Sequence, residues 1–244
     1  NIVSWNWKAN GAGSANTEGS VSATVSANTT AGFSIVQYNT AGSGTQTMGH
    51  GLGSAPTFII TKPAQNTESW YVYIPTGVSS SLRLNTDAAA VSTTPYAGTP
   101  TDTLFSINNG VIGGYTDVIS YCFRDVKGYS KFGSYVGNSS TDGTFVYTGF
   151  KPAFVILKRT DGGDSWVMLD NKRNESNPED KRLLADTSGA ETTQTQCDFL
   201  SNGFKLRIAG GLTNGNGNNH IYIAFAENPF VATSGTSALP VTAR

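Results

Sequence analysis

The sequence predicts an all-β protein: two tandem antiparallel β-sandwich or barrel-like repeats preceded by an orphan N-terminal strand. Three observations carry this expectation. The composition leans away from helix, with 28 Gly, only 14% charged residues and abundant Ser, Thr and Asn; aromatic and β-branched residues supply the apolar content. Short alternating segments are punctuated by clusters that accept turn conformations, such as "NTAGSG" (39–44), "NSSTDG" (138–143) and "TDGGDS" (160–165). The chain also repeats itself, and a repeat decides architecture before any motif does.

The opening stretch, "NIVSWNWKAN" (1–10), alternates Val3, Trp5 and Trp7 with Ser4, Asn6 and Lys8, the two-residue period of a half-buried strand. Residues 11–31 are rich in Gly, Ser, Ala and Thr and are expected to form an extended linker, in which "SVSATVSA" (20–27) can pair as an edge strand. Repeat 1 then covers residues 32–128 and repeat 2 residues 129–230, followed by a tail, 231–244. "APTFIITK" (55–62) corresponds to "KPAFVILK" (151–158), and "SWYVY" (69–73) to "SWVML" (165–169), which sets Trp70 on Trp166. Pro56 and Pro152 precede or open these strands, where no ladder donor is needed. "LFSINNG" (104–110) resembles "DFLSNG" (198–203), and "VISYCFRDV" (118–126) resembles "HIYIAFAEN" (220–228). The helical candidate is "NPEDKRLLAD" (177–186), opening on Asn-Pro.

Placed against the repeat, "IVSWNWKAN" (2–10) aligns with the last strand of each copy: Val3 with Ile119 and Ile221, Trp5 with Tyr121 and Ile223, Trp7 with Phe123 and Phe225. It therefore reads as the terminal strand of a unit whose body lies elsewhere, and a chain opening on Asn1 reads as a processed or truncated product. Three outcomes are open. The strand completes the sheet of a neighbouring subunit, it completes the sheet of a preceding domain, or it folds back on its own chain as an edge strand, which the linker is long enough to allow. Three large apolar side chains, each stabilising by about 1.5–3 kcal/mol when buried, argue against leaving it in solvent. Val3, Trp5 and Trp7 are thus the candidate subunit-interface residues.

Long stretches of the chain, "WNWKANGAGSANTEGSVSATVSANTTAGFSIVQY" and "YSKFGSYVGNSSTDGTFVYTGFKPAFVILKR", closely resemble the C-terminal repeat region of tail and tail-fibre-like proteins of marine and freshwater bacteriophages. The resemblance runs through nearly the whole chain. It implies an extracellular or virion-associated protein with a non-enzymatic structural or host-recognition role: a self-assembling fibre or filament subunit, or alternatively a receptor- or glycan-binding module at a fibre tip. It brings no binding residues with it.

The residues themselves nominate no catalytic set. The formal net charge of -1 with no basic cluster gives no footprint for nucleic acid or an anionic membrane. No apolar run approaches the roughly 20 residues of a membrane span. Cys122 and Cys197 lie in no metal-ligand spacing and read as small apolar residues. His50, in "TMGHGLG", is expected in a turn, and His220 at the start of the last strand. Asp161 and Asp164 flank a glycine pair, and Glu179 and Asp180 adjoin; calcium takes six to eight oxygens, but Asp-Gly is first a turn signal. No metal and no cofactor is therefore expected, and no enzymatic activity. Trp70 and Trp166, at equivalent positions, read as core rather than as sugar-stacking platforms. The Asn- and Gly-rich loop 210–219 is the better recognition candidate, because loops on a rigid β scaffold commonly carry binding. Three acceptor sequons for N-glycosylation start at Asn28, Asn138 and Asn174.

Overall fold

The computed structural model describes residues 3–40, 44–65, 67–74 and 80–228; the expected tail, 231–244, lies outside them. In chain order the first elements are β1 (Ser14–Asn16), β2 (Ala23–Asn28), β3 (Phe33–Tyr38), β4 (Thr45–Gly49), β5 (Phe58–Pro63), β6 (Tyr71–Tyr73), β7 (Leu82–Arg83), β8 (Leu104–Asn108), α1 (Asn109–Ile112) and β9 (Val118–Phe123). They are followed by β10 (Ser130–Val136), β11 (Phe145–Tyr147), β12 (Pro152–Arg159), β13 (Val167–Asp170), β14 (Glu179–Leu184), β15 (Thr192–Leu200), β16 (Gly203–Leu206), α2 (Gly211–Asn214) and β17 (Asn219–Ala226). The all-β expectation holds, and the described strand pairs are antiparallel.

The chain divides into two compact units, Asn1–Tyr73 with Thr93–Arg124, and Ile74–Ser92 with Asp125–Arg244. This corrects the expected boundaries. The changeover falls at Arg124, and residues 74–92, inside the expected first repeat, belong with the second unit. Hydrogen bonds hold them there: Ala90 N–H to Thr160 O at 2.8 Å, Lys158 Nζ to Asp87 O at 3.1 Å and Trp166 Nε1 to Arg83 O at 2.8 Å.

In the first unit, strands run β1-β2-β3-β9-β5-β6, with β4 and β8 forming a separate pair. Alternation sends Val36 and Tyr38, Ile59, Val118 and Cys122 into one core together with Met48, Phe105 and Ile107. The expected linker, 11–31, is not extended and free: it contributes β1 and β2. The "SVSATVSA" stretch supplies β2, whose Ala23 and Val25 are core residues, and β1 takes the edge position beside it.

In the second unit, strands run β10-β17-β12-β13-β14-β15-β16-β11, a nearly closed barrel-like sheet. Thr144 Oγ1, between the two end strands in sequence, donates to Val136 O at 2.8 Å. Val155, Leu157, Val167, Leu169, Phe204 and Tyr222 fill the core. The triples β3-β9-β5 and β10-β17-β12 are the repeated motif: Phe123 lies opposite Phe33 and Phe58, and Phe225 opposite Ser130 and Phe154.

The helical candidate 177–186 is instead mostly β14. An isolated helix of that length is marginal, and asparagine side chains bind this backbone in an extended path. Asn177 both donates to Phe199 O and accepts from Phe199 N–H, at 3.0 and 2.8 Å. Asn174 Oδ1 accepts from Asp180 N–H and Lys181 N–H. The ladder to β15 then outweighs local helix preference.

Candidate functional site

The residues nominated for chemistry are absorbed into the scaffold. His50 is buried; its Nδ1 accepts from Leu52 N–H at 3.2 Å, so Nε2 carries the proton and donates to Thr101 O at 3.1 Å. Burial lowers its pKa, only partly opposed by the Thr101 carbonyl. His220, also buried, donates from Nδ1 to Asn218 O and stacks on Tyr135 at 4.9 Å; burial again favours the neutral ring. Cys122 and Cys197 are free and buried, and burial pushes both thiols up.

Asp161 and Asp164 are brought together, but around a guanidinium. Arg159 bonds Asp161 at 2.7 Å and Asp164 at 3.2 Å, and Asp161 also accepts from Asn219 N–H and Nδ2. Burial, the largest single influence, raises the Asp161 carboxyl, but the bonds from Arg159 and Asn219 together with the Arg159 charge outweigh it and the net direction is down. Glu179 is buried inside the barrel, while Asp180 accepts from Asn174 Nδ2 at 2.7 Å. No group of three or more His, Cys, Asp or Glu is placed to hold a metal among the described residues. There too, no helix is long and apolar enough to cross a membrane.

The two equivalent tryptophans part company. Trp166 is core, fully buried, with its indole N–H bound to Arg83 O. Trp70 is 36% exposed, its ring stacked on Tyr121 at 6.5 Å and 10°; the core expectation fails there. The loop 210–219 is more internal than its composition suggests. Thr213 and Asn214 are buried, and Asn214 Nδ2 donates to Ser140 O and Ile208 O.

The N-terminal segment lies against its own unit without forming a strand. Asn10 N–H donates to Ser26 Oγ at 3.0 Å, and Asn28 Nδ2 to Lys8 O at 3.0 Å. Trp7 meets Phe123 edge-on at 6.0 Å and 81°; Val3 is exposed, and Trp5 and Trp7 are half-buried. The edge-strand outcome is not taken, because β1 occupies the place beside β2. Of the sequon residues, Asn28 and Asn174 commit their amide nitrogens to Lys8 O and Asp180. Asn138 is exposed, with Oδ1 accepting from Ser140 N–H and Asn214 Nδ2.

A further surface lies on β11. On β11, Val146 points into the core while Phe145 and Tyr147 are 43% and 63% exposed, on the face opposite. The ladder sets Phe145 beside Lys205 and Tyr147 beside Gly203 on β16, and Lys205 beside Asp198 on β15. Lys205 pairs with Asp142 at 2.6 Å, Arg207 Nη1 reaches the same Asp142 oxygen at 3.6 Å, and Arg207 Nε pairs with Asp198 at 2.5 Å. The hydrogen bond from Lys205 holds the Asp142 carboxyl below the ordinary range. Two exposed aromatic rings on one strand are thus bordered by an ion-paired rim.

A family model described as a domain of unknown function, DUF7483, matches residues 1–229. The chain belongs to the DUF7483 family. No curated protein and no solved structure matches it. In this DUF7483 chain the exposed aromatic pair had one sequence signal: the second copy reads "GTFVYT" (143–148) where the first reads "GTQTMG" (44–49). Aromatics confined to one copy cannot be demanded by the core that both copies share.

Proposed function

We propose that this chain is a non-catalytic structural subunit of an extracellular or virion-associated fibre, similar to phage tail-fibre proteins, that self-assembles through its N-terminal segment. The observation that carries the reading is the match of residues 2–10 to β9 and β17. Each of those strands is flanked on both sides, β9 by β3 and β5 and β17 by β10 and β12. Val3, Trp5 and Trp7 align with Ile119, Tyr121 and Phe123 of β9 and with Ile221, Ile223 and Phe225 of β17. These six strand residues alternate with Val118 and Cys122 on β9 and with Tyr222 and Ala224 on β17, and Phe123, Ile221, Ile223 and Phe225 are themselves buried.

In every copy β9 and β17 already fill the central positions, so residues 2–10 take no central place and instead add to an open sheet edge of a neighbouring subunit. A segment donated in this way makes a heterologous contact that does not close, and the product is a linear filament. The test is deletion of residues 1–10, together with a Trp5→Ala/Trp7→Ala double variant that keeps chain length, read by negative-stain microscopy and light scattering. Loss of filaments, with the circular-dichroism spectrum of the β scaffold retained, is expected of both. Assembly undiminished in the deletion, or an intact chain that stays monomeric, overturns the reading.

A further inference from the structure

We propose that the outer face of β11 is a binding platform for a neutral, hexose-containing glycan, with Phe145 and Tyr147 as its stacking rings. This proposal does not depend on assembly through residues 2–10. The Phe145 ring lies against Gly203, and the phenol end of Tyr147 lies beside Gly149. A Cβ at Gly203 would meet the Phe145 ring at 3.0 Å, and a Cβ at Gly149 would lie 3.5 Å from the Tyr147 hydroxyl. Small neighbours leave both rings largely open to solvent, Phe145 at 43% and Tyr147 at 63% exposure. They alternate with buried Val146, so they sit about 6.7 Å apart along the strand, comparable to the length of one pyranose unit. Two rings fixed on a ladder present a broad apolar surface at little cost in side-chain order.

The rim selects the occupant. Asp142 and Asp198 face Lys205 and Arg207 in one ion-paired chain, two negative groups against two positive, so the surface carries no net field to attract an anionic polymer. These groups nevertheless offer carboxylate acceptors and ammonium and guanidinium donors beside the rings, and Asp142 is largely exposed. Apolar ring faces bordered by paired donors and acceptors match the carbohydrate surface, with its C–H face and its hydroxyl edge. A partner protein of strong charge or an acidic polysaccharide would have to break these pairs.

Titration calorimetry of the intact chain with neutral hexasaccharides of glucose, galactose and mannose, and with an alginate hexamer as the anionic comparison, tests this. Binding of at least one neutral oligosaccharide is expected, unchanged between 50 and 500 mM salt because no ionic contact is screened. Tyr147→Ala and Phe145→Ala should each weaken it at least tenfold, while Tyr147→Phe, which keeps the ring, and Trp70→Ala should leave it within twofold. Because both rings are exposed, the alanine variants should melt with the parent. The proposal is overturned by alginate binding in preference to every neutral sugar, by no binding to any of the panel, or by affinity that survives Tyr147→Ala. Deletion of residues 1–10 should leave the affinity intact, which separates this site from the assembly segment.

Discussion

Replacing Glu179 with glutamine should convert a pH-sensitive barrel into one that is less so. Glu179 lies on β14 opposite Cys197 of β15, is 2% exposed, and its Oε2 has no hydrogen-bond partner among the described residues. Burial pushes its carboxyl from the ordinary 4.5 up to about 8. The negative charge of Asp170 adds to this, with Asp180 contributing and Lys151 and Arg173 opposing. The folded protein therefore keeps the proton while the unfolded chain releases it. Below pH 4.5 the two states are protonated alike and the group costs nothing. As pH rises from 4.5 to 8, the unfolded chain ionises first and stability falls; above 8 the loss is complete. At about 1.4 kcal/mol per pH unit, the loss reaches roughly 3–6 kcal/mol.

Glu179→Gln has nearly the same shape and no proton to release, so it should be slightly less stable than the parent near pH 4.5, by about 1 kcal/mol for the altered donor pattern. It should be more stable by several kcal/mol at pH 8.5. Urea or thermal melts of both proteins at half-unit steps from pH 4.5 to 9 give the difference curve directly; each kcal/mol moves Tm by about 2–4 °C in a chain of this size. Other titrating groups cancel in that difference. Parallel curves, with no crossing between pH 4.5 and 8, would refute a protonated Glu179 in the barrel.

Two further outcomes follow from burial. Trp166→Ala should cost about 3–5 kcal/mol, because it opens a cavity in the second core and removes the indole donor to Arg83 O, whereas Trp70→Ala, at the equivalent position of the first copy, should cost about 1 kcal/mol; equal losses measured by denaturant unfolding would contradict the two environments. Cys122 and Cys197, buried with their thiols held protonated, should resist an aromatic disulfide reagent at pH 8 and titrate as two thiols in guanidinium; rapid labelling of the native chain would contradict their burial.

How much was legible divides along a physical line. Period-two alternation and turn chemistry are local, so strands such as β5, β9, β12 and β17 could be read from sequence, and self-similarity revealed the repeated triple without any coordinates. The β14 segment reads as helix because its local preference is helical, and what overrides it is pairing with β15 and the bonds from Asn174 and Asn177, none visible to a window of ten residues. Loop 210–219 is only partly solvent-facing for the converse reason: its polarity suggests solvent throughout, but Asn214 spends its amide on carbonyls inside the fold.

By itself the sequence determined the all-β class, the two related copies, and the kinship of residues 2–10 with the central strands, because each depends on pattern along the chain. Tertiary structure alone decided which of two matching tryptophans is core, that residues 74–92 belong to the second unit, that Glu179 is buried, and that Phe145 and Tyr147 face outward. Those depend on what else occupies the space around a residue: Trp166 finds Arg83 O within the second unit, and Gly203 leaves the room that the Phe145 ring takes.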